Sequence, residues 1–341
     1  MKEAVLWKAE ADKVRCGLCS HRCLIAEGHT GRCGVRKNVC GILYSLNYDR
    51  ICGAHADPIE KKPLYHFYPG SRSFSIAAEG CNFRCDFCQN WQISQSPVES
   101  GRIGGEPASP ERIVEAAVRC GCRSLSYTYT EPTVFMELAA DCARLAQEKG
   151  LANVFVSNGY LTPEAVDFAA HWLDAINVDL KAFADEYYRR LCKARLQPVL
   201  DTIRQIARDT RIWIEVTTLL VPGQNDGEDQ LKALAEWLVR EAGPQVPWHI
   251  SRFYPQYKLT DAVPTPLEDL RKAHAIGKAA GLQYVYLGNM PGASEENTFC
   301  HACGRLLIER SGYTIVSHHI RDSCCPDCGA RVHGVGWPQG Q

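Results

Sequence analysis

Between residues 73 and 287 the chain alternates two hydrophobic patterns. Short apolar runs rich in β-branched and aromatic residues recur at 73–80 (SFSIAAEG), 124–130 (SLSYTYT), 153–158 (NVFVSN), 175–180 (AINVDL), 212–219 (IWIEVTTL), 248–253 (WHISRF) and 283–287 (QYVYL), and they predict strands. Helical stretches lie between them. Ser109-Pro110-Glu111, Thr162-Pro163-Glu164 and Thr265-Pro266-Leu267-Glu268 each place a hydroxyl at N-cap and a proline at N1, and Glu268 adds a capping-box carboxylate. Strand, helix, strand in repetition predicts an α/β fold with a parallel sheet and right-handed crossovers. Six or seven such units without an eighth predict an incomplete TIM-type (β/α)6-like barrel, whose chemistry would sit on the loops after the strands. Residues 1–40 show little periodicity, and 57–72 (DPIEKKPLYHFYPGSR) read as an irregular, proline-punctuated connector. The expected division is a Cys-rich segment 1–56, the barrel 57–290 and a further Cys-rich segment 291–341.

Composition narrows the function classes. The 341 residues carry 38 Lys+Arg against 39 Asp+Glu. That balance gives no sign of a nucleic-acid or anionic-membrane partner. Charges interrupt MKEAVLWKAEADKVRC, so no signal peptide is expected, and no apolar run approaches the ~18 residues of a membrane helix. The expected location is therefore cytoplasmic, where thiols stay reduced. Against that background 18 cysteines point to metal or redox chemistry. Twelve fall in three clusters, and Cys40, Cys52, Cys120, Cys122, Cys142 and Cys192 are scattered. The scattered six are expected to behave as small buried apolar residues.

The first strand runs into CNFRCDFCQNW, spacing Cys81, Cys85 and Cys88 as Cys-x3-Cys-x2-Cys. Structural zinc wants four closed ligands. Three thiolates on a 4Fe-4S cluster leave one iron open to bind a small molecule. At the other end, Cys300-x2-Cys303-Gly304 and Cys325-x2-Cys328-Gly329 are two knuckles expected to form a zinc ribbon, with YTIVSHHI as a ribbon strand and Cys324 out of phase. The N-terminal Cys16, Cys19, Cys23 and Cys33 suit either a Zn2+ site or a second Fe-S cluster, and spacing does not decide between them.

The Cys-x3-Cys-x-aromatic-Cys motif, with Phe87 as the aromatic, resembles the signature of the radical S-adenosylmethionine (SAM) superfamily. The resemblance implies that the open iron chelates S-adenosyl-L-methionine. One electron then cleaves the sulfonium, and the resulting 5′-deoxyadenosyl radical abstracts hydrogen from substrate. It assigns Glu131, in Thr130-Glu131-Pro132, to the methionyl amino group, although Tyr129 and Thr130 stand where the family has glycines. Ser157 and Asn158 are placed near the ribose and carboxylate, Asp179 and Lys181 beside the cofactor, and His249 as a cofactor contact. Val156 replaces the acidic residue that would complete a cation site, so no cation is expected.

Over nearly the whole chain, the CxLCxHxC segment, DPIEKKPLYHFYPGSRSFSIAAEGCNFRCDFCQNW and the C-terminal CxxCG pair resemble the radical enzyme of the AmmeMemoRadiSam system, described as pyruvate formate-lyase activating enzyme-like. That resemblance implies a reducing partner such as flavodoxin or ferredoxin and co-occurring Memo-like and AMMECR-like proteins. The substrate would be a protein, peptide or small molecule. A glycyl-radical-enzyme activase and a non-catalytic iron–sulfur electron-transfer protein are the alternatives.

Overall fold

Seven of the apolar runs form strands of one sheet in the computed structural model, which describes residues 1–290 and 292–337. They are β1 (Arg72–Ala77), β2 (Ser124–Tyr127), β3 (Ala152–Ser157), β4 (Ala175–Asp179), β5 (Trp213–Leu220), β6 (Trp248–Arg252) and β7 (Val285–Gly288). Each pairs in parallel with the next. Parallel strands covered on both faces need no polar alternation, so near-continuous apolar runs located them. The barrel thus has seven parallel strands, the upper count of the six or seven units expected. An eighth strand, Gly53–Pro58, joins the β1 edge antiparallel, in register from Gly53 opposite Ala77 to Pro58 opposite Arg72. The expected connector therefore begins inside a strand, and Pro58 is tolerated there because it lies at an edge.

The helices of seven or more residues are α1 (Pro110–Arg119), α2 (Met136–Glu148), α3 (Pro163–Ala169), α4 (Gln197–Asp209), α5 (Glu228–Glu241) and α6 (Leu267–Ala279). Ser109 Oγ accepts the Arg112 N–H at 3.4 Å and Thr162 Oγ1 accepts the Ala165 N–H at 3.2 Å, so two predicted caps form. The third does not. Pro266 is the N-cap of α6. Thr265 Oγ1 instead donates to the Leu220 carbonyl at 2.6 Å and accepts the Phe253 N–H at 2.8 Å. Its buried hydroxyl ties the ends of β5 and β6 together, a stronger demand than an exposed cap.

Two small antiparallel sheets precede the barrel, one from Trp7–Glu10, Lys13–Cys16 and Leu24–Ala26, the other from Lys2–Glu3, Arg36–Val39 and Ile42–Ser45. Strands of two to four residues are too short to show a period in the sequence. This segment is anchored to α2 by a buried ion pair, Arg36 Nη2 to Glu137 Oε1 at 2.5 Å, and Glu137 also accepts the Val5 N–H at 2.8 Å. At the other end β8 (Leu306–Ser311) and β9 (Thr314–His318) form a hairpin, with Thr298–Phe299 as its third strand. Among the described residues no helix is long and apolar enough to cross a membrane.

Candidate active site

Beyond β1 the chain turns at Gly80, where φ is +109°. A Cβ there would lie 2.8 Å from Val35 Cγ1, so only glycine lets the N-terminal segment approach this closely. The Cys81–Cys88 loop follows. The Phe83 N–H points at Cys81 Sγ from 3.3 Å, and Cys88 Sγ lies 3.3 Å from Ser94 Oγ. All three cysteines and Phe87 line a cavity of about 750 Å³ at the C-terminal ends of the strands, within the ~300–1,000 Å³ range of small-molecule sites.

The donor set fits a cluster better than a single ion. Among the described residues the three sulfurs do not all fall within 4.8 Å of one another, as ligands of one metal ion would. Burial pushes the Cys81 and Cys88 thiols above their ordinary range. The hydrogen bond with Cys192, and then burial, raise Cys85. Thiolates bind metal, so assembly here would release protons. Lys181 supplies compensating positive charge near Cys85. Its Nζ pairs with Asp179 Oδ2 at 2.8 Å and lies 5.9 Å from the centre of the Phe87 ring.

The sequence-predicted strand-end residues meet in the same cavity: Glu131 after β2, Ser157 and Asn158 at the end of β3, Asp179 and Lys181 at the end of β4, and His249 on β6. Glu131 is buried and already well bonded. Its Oε1 accepts the Thr133 N–H at 3.1 Å and hydroxyls from Thr133 at 2.5 Å and Ser157 at 2.8 Å, while Oε2 accepts the Asn158 N–H at 2.8 Å. The carboxylate therefore locks the β2 and β3 loops together, and only Oε2 keeps acceptor capacity for a ligand. Asn158 Nδ2 lies 3.8 Å from Cys81 Sγ. His249 Nε2 is held by Glu215 Oε2 at 2.6 Å. Thr217 Oγ1, buried and without a hydrogen-bond partner, also lines the cavity, and a polar cofactor such as SAM would satisfy it.

The replacement of the family's glycine by Tyr129 has a structural answer. Tyr129 itself takes φ +66°, a conformation that costs about 1–2 kcal/mol for a residue with a Cβ. Three contacts hold it there. Its hydroxyl donates to Asp57 Oδ2 at 2.5 Å, Lys62 Nζ sits 4.7 Å from its ring centre, and Asn90 Nδ2 donates to its carbonyl at 2.7 Å. Asn90 lies two residues beyond Cys88, so the end of the cysteine loop is coupled to the β2 end.

The two flanking quartets differ in geometry. Cys300 Sγ lies 3.6 Å from Cys328 Sγ, and Cys303 Sγ 3.7 Å from Cys325 Sγ. Tetrahedral Zn–S bonds of ~2.3 Å put sulfurs about 3.8 Å apart, so this set fits one Zn2+ ion. Burial raises the Cys325 thiol, but the N–H groups of Cys328 and Asp327 outweigh it and bring it down to about 7. Among the described residues this is the one group of three or more possible ligands within 4.8 Å of one another. Cys16, Cys19, Cys23 and Cys33 are not so closed; they line a separate small cavity.

Several residues of the site carried no sequence signal. Glu215, within an apolar strand, accepts the N–H groups of Tyr65 and His66 at 3.0 and 2.8 Å and fixes the connector beneath the cavity. Cys192 was expected to be an inert buried thiol; it is buried, but it lies against Cys85. Cys40 departs from that expectation altogether, being exposed. Gly312 and Tyr313, the turn between β8 and β9, reach the cavity wall.

Comparison with known proteins agrees with this arrangement. Residues 75–238 match the Radical SAM superfamily. A Methanocaldococcus jannaschii protein named as uncharacterized is 45% identical over 335 residues, covering 97% of this chain and 99% of that protein. Another protein of that organism, named as a candidate glycyl-radical enzyme activating enzyme, is 24% identical over 64% of this chain and 80% of its own length. A solved radical SAM methyltransferase from Sphaerobacter thermophilus shares the fold with a TM-score of 0.51, at 15% identity, over 67% of this chain and 71% of that one. The family match starts within β1 and ends within α5, taking in the cysteine loop and the strand ends that frame most of the cavity, and residues 75–238 belong to the radical SAM superfamily.

Proposed function

We propose that this radical SAM enzyme abstracts hydrogen from a protein or peptide group presented at the mouth of the cavity, beside the C-terminal ribbon. The observation that carries the reading is the convergence of Cys81, Cys85 and Cys88 with Asn158, Asp179, Lys181 and the ribbon turn Gly312–Tyr313 on one cavity. When bound, a 4Fe-4S cluster and SAM supply one-electron sulfonium cleavage and a carbon radical strong enough to take hydrogen. The chain's own residues do the positioning. Cys81, Cys85 and Cys88 would hold the cluster, with Lys181 offsetting its negative charge. Glu131 Oε2 and the Asn158 amide would orient SAM, and Thr217 Oγ1 would hydrogen-bond it. Tyr254, Asn289 and Tyr313 border the cavity where a substrate would enter, and Tyr254 and Tyr313 are exposed. Exposed aromatic rings at such a rim suit contact with a polypeptide.

The AmmeMemoRadiSam resemblance supplies the partners to try, Memo-like and AMMECR-like proteins, with flavodoxin or ferredoxin as reductant. The glycyl-radical activase is the narrower form of the same reading, favoured by the name of the second relative. The test is a pull-down of partners from the native host, followed by reaction with deuterium-labelled partner. Deuterium is expected in 5′-deoxyadenosine. Unlabelled 5′-deoxyadenosine formed at an equal rate with and without partner would overturn the protein-substrate reading. A persistent radical on the partner would identify an activase.

A further inference from the structure

The N-terminal quartet has the features of a second cofactor site. Its cavity is lined by the four cysteines together with Leu18, Ile25, Arg36 and Asn82. Each sulfur faces a backbone N–H: that of Leu18 for Cys16, His21 for Cys19, Val35 for Cys33, and Arg32 for Cys23 at 3.5 Å. Burial raises the Cys16, Cys19 and Cys33 thiols, and these donors offset part of that rise in favour of the thiolate, the form that binds metal. Arg36 is an independent sign. It is only 2% exposed, and beyond its ion pair to Glu137 its Nε and Nη1 are buried without partners. A buried guanidinium with idle donors is unfavourable unless anionic charge lies nearby, and four thiolates around a metal cluster supply that charge.

The spacing selects the kind of metal centre. Among the described residues no three of these sulfurs lie within 4.8 Å of one another, whereas the C-terminal four do. One chain therefore holds a quartet closed to zinc dimensions and a quartet spread wider. Zinc would draw sulfurs to about 3.8 Å, while a cubane distributes its thiolates over four irons. The site also touches the active-site loop. Gly80 packs on Val35 and the Cys33 carbonyl. Fully buried Asn82 lines the quartet cavity, has an unpartnered Nδ2, and places Oδ1 3.8 Å from Cys81 Sγ.

We propose that Cys16, Cys19, Cys23 and Cys33 hold a second iron–sulfur cluster, counter-charged by Arg36, that hands single electrons to the three-cysteine site past Asn82. Each transfer takes one electron from a low-potential donor of the flavodoxin or ferredoxin class and passes one on. No bond is made or broken at the quartet. The relay rests on the reading of Cys81, Cys85 and Cys88 as the catalytic cluster site; the metal content of the quartet does not.

The first experiment therefore uses the full-length Cys81→Ala, Cys85→Ala, Cys88→Ala variant, reconstituted anaerobically with ferrous iron and sulfide. About four irons and four sulfides per chain with a cubane Mössbauer signature are expected. Zinc at the quartet, or fewer than about two irons per chain, overturns the assignment. In that background Arg36→Met is expected to move the cluster's midpoint potential negative, because reduction adds charge no longer offset, and Arg36→Lys to restore it. If both variants keep the parent potential, or if Arg36→Lys fails to restore it, the counter-charge role is wrong. In the dithionite-reduced parent protein, EPR should show splitting from two neighbouring paramagnetic clusters that the triple variant lacks. A simple sum of two uncoupled spectra would overturn the relay.

Discussion

Glu131 is first of all a structural brace. Its four internal donors tie the β2 and β3 loops together, Oε2 accepts only one of them, and the residue lines the cavity. Glu131→Ala is expected to weaken SAM binding on the order of tenfold, the value of about one charged hydrogen bond, with iron content unchanged. Equilibrium dialysis against labelled SAM measures this, and an unchanged affinity would remove Glu131 from the cofactor site. His66 makes a different prediction. Burial brings its pKa down to about 4, while Nδ1 faces the His333 carbonyl at 2.6 Å and Nε2 the Tyr286 hydroxyl at 2.5 Å. The unfolded chain takes up this proton near pH 6.5 and the folded chain refuses it. Stability from this residue is therefore intact above pH 6.5 and falls as pH drops towards 4, by about 3 kcal/mol at most. Urea unfolding at pH 7 and pH 5 should show a smaller acid loss for His66→Gln than for the parent; equal losses would exclude His66 as the sensitive group.

At the level of elements, the parts legible in sequence were those whose pattern is local. β1 to β7 declare themselves by apolar runs, α1 and α3 by their caps, and the ribbon by its paired knuckles. Thr265 misled because its hydroxyl answers to Leu220 and Phe253, distant in sequence and adjacent in space. The short N-terminal strands left no period, and the Gly53–Pro58 edge strand was hidden by the prolines that follow it. The turn Gly312–Tyr313 shows what locality omits: β8 and β9 were expected as a metal appendage, yet their turn forms part of the cavity wall. Elemental analysis is expected to find one zinc at the C-terminal quartet. Cys303→Ser with Cys328→Ser should lose it, because structural zinc stabilises its small fold directly. Proteolysis should then cleave after residue 298 while the barrel persists. Retained zinc, or an unchanged cleavage pattern, would count against a structural zinc site.

For the whole molecule, the arrangement is a parallel barrel against which both ends of the chain pack, the first beside the cysteine loop and the second at the cavity wall. The N-terminal segment packs on Gly80 and pairs Arg36 with Glu137, and the C-terminal segment brings Tyr313 to the cavity and hydrogen-bonds His333 to His66. Sequence alone named the three cysteines and the strand-end residues that line one cavity, since the motifs that carry them are local. It did not reveal Glu215, Cys192 or the Asn90–Tyr129 tie, which depend on contacts across the barrel. Cys81, Cys85 and Cys88 are expected to support reductive cleavage of SAM. The direct measurement is 5′-deoxyadenosine formed by anaerobically purified protein with dithionite and SAM, beside the Cys81→Ala, Cys85→Ala, Cys88→Ala variant. The expected result is product from the parent protein and none above background from the variant. Equal amounts from both, or none from a fully iron-loaded parent, would contradict the account and leave an iron–sulfur protein that only carries electrons.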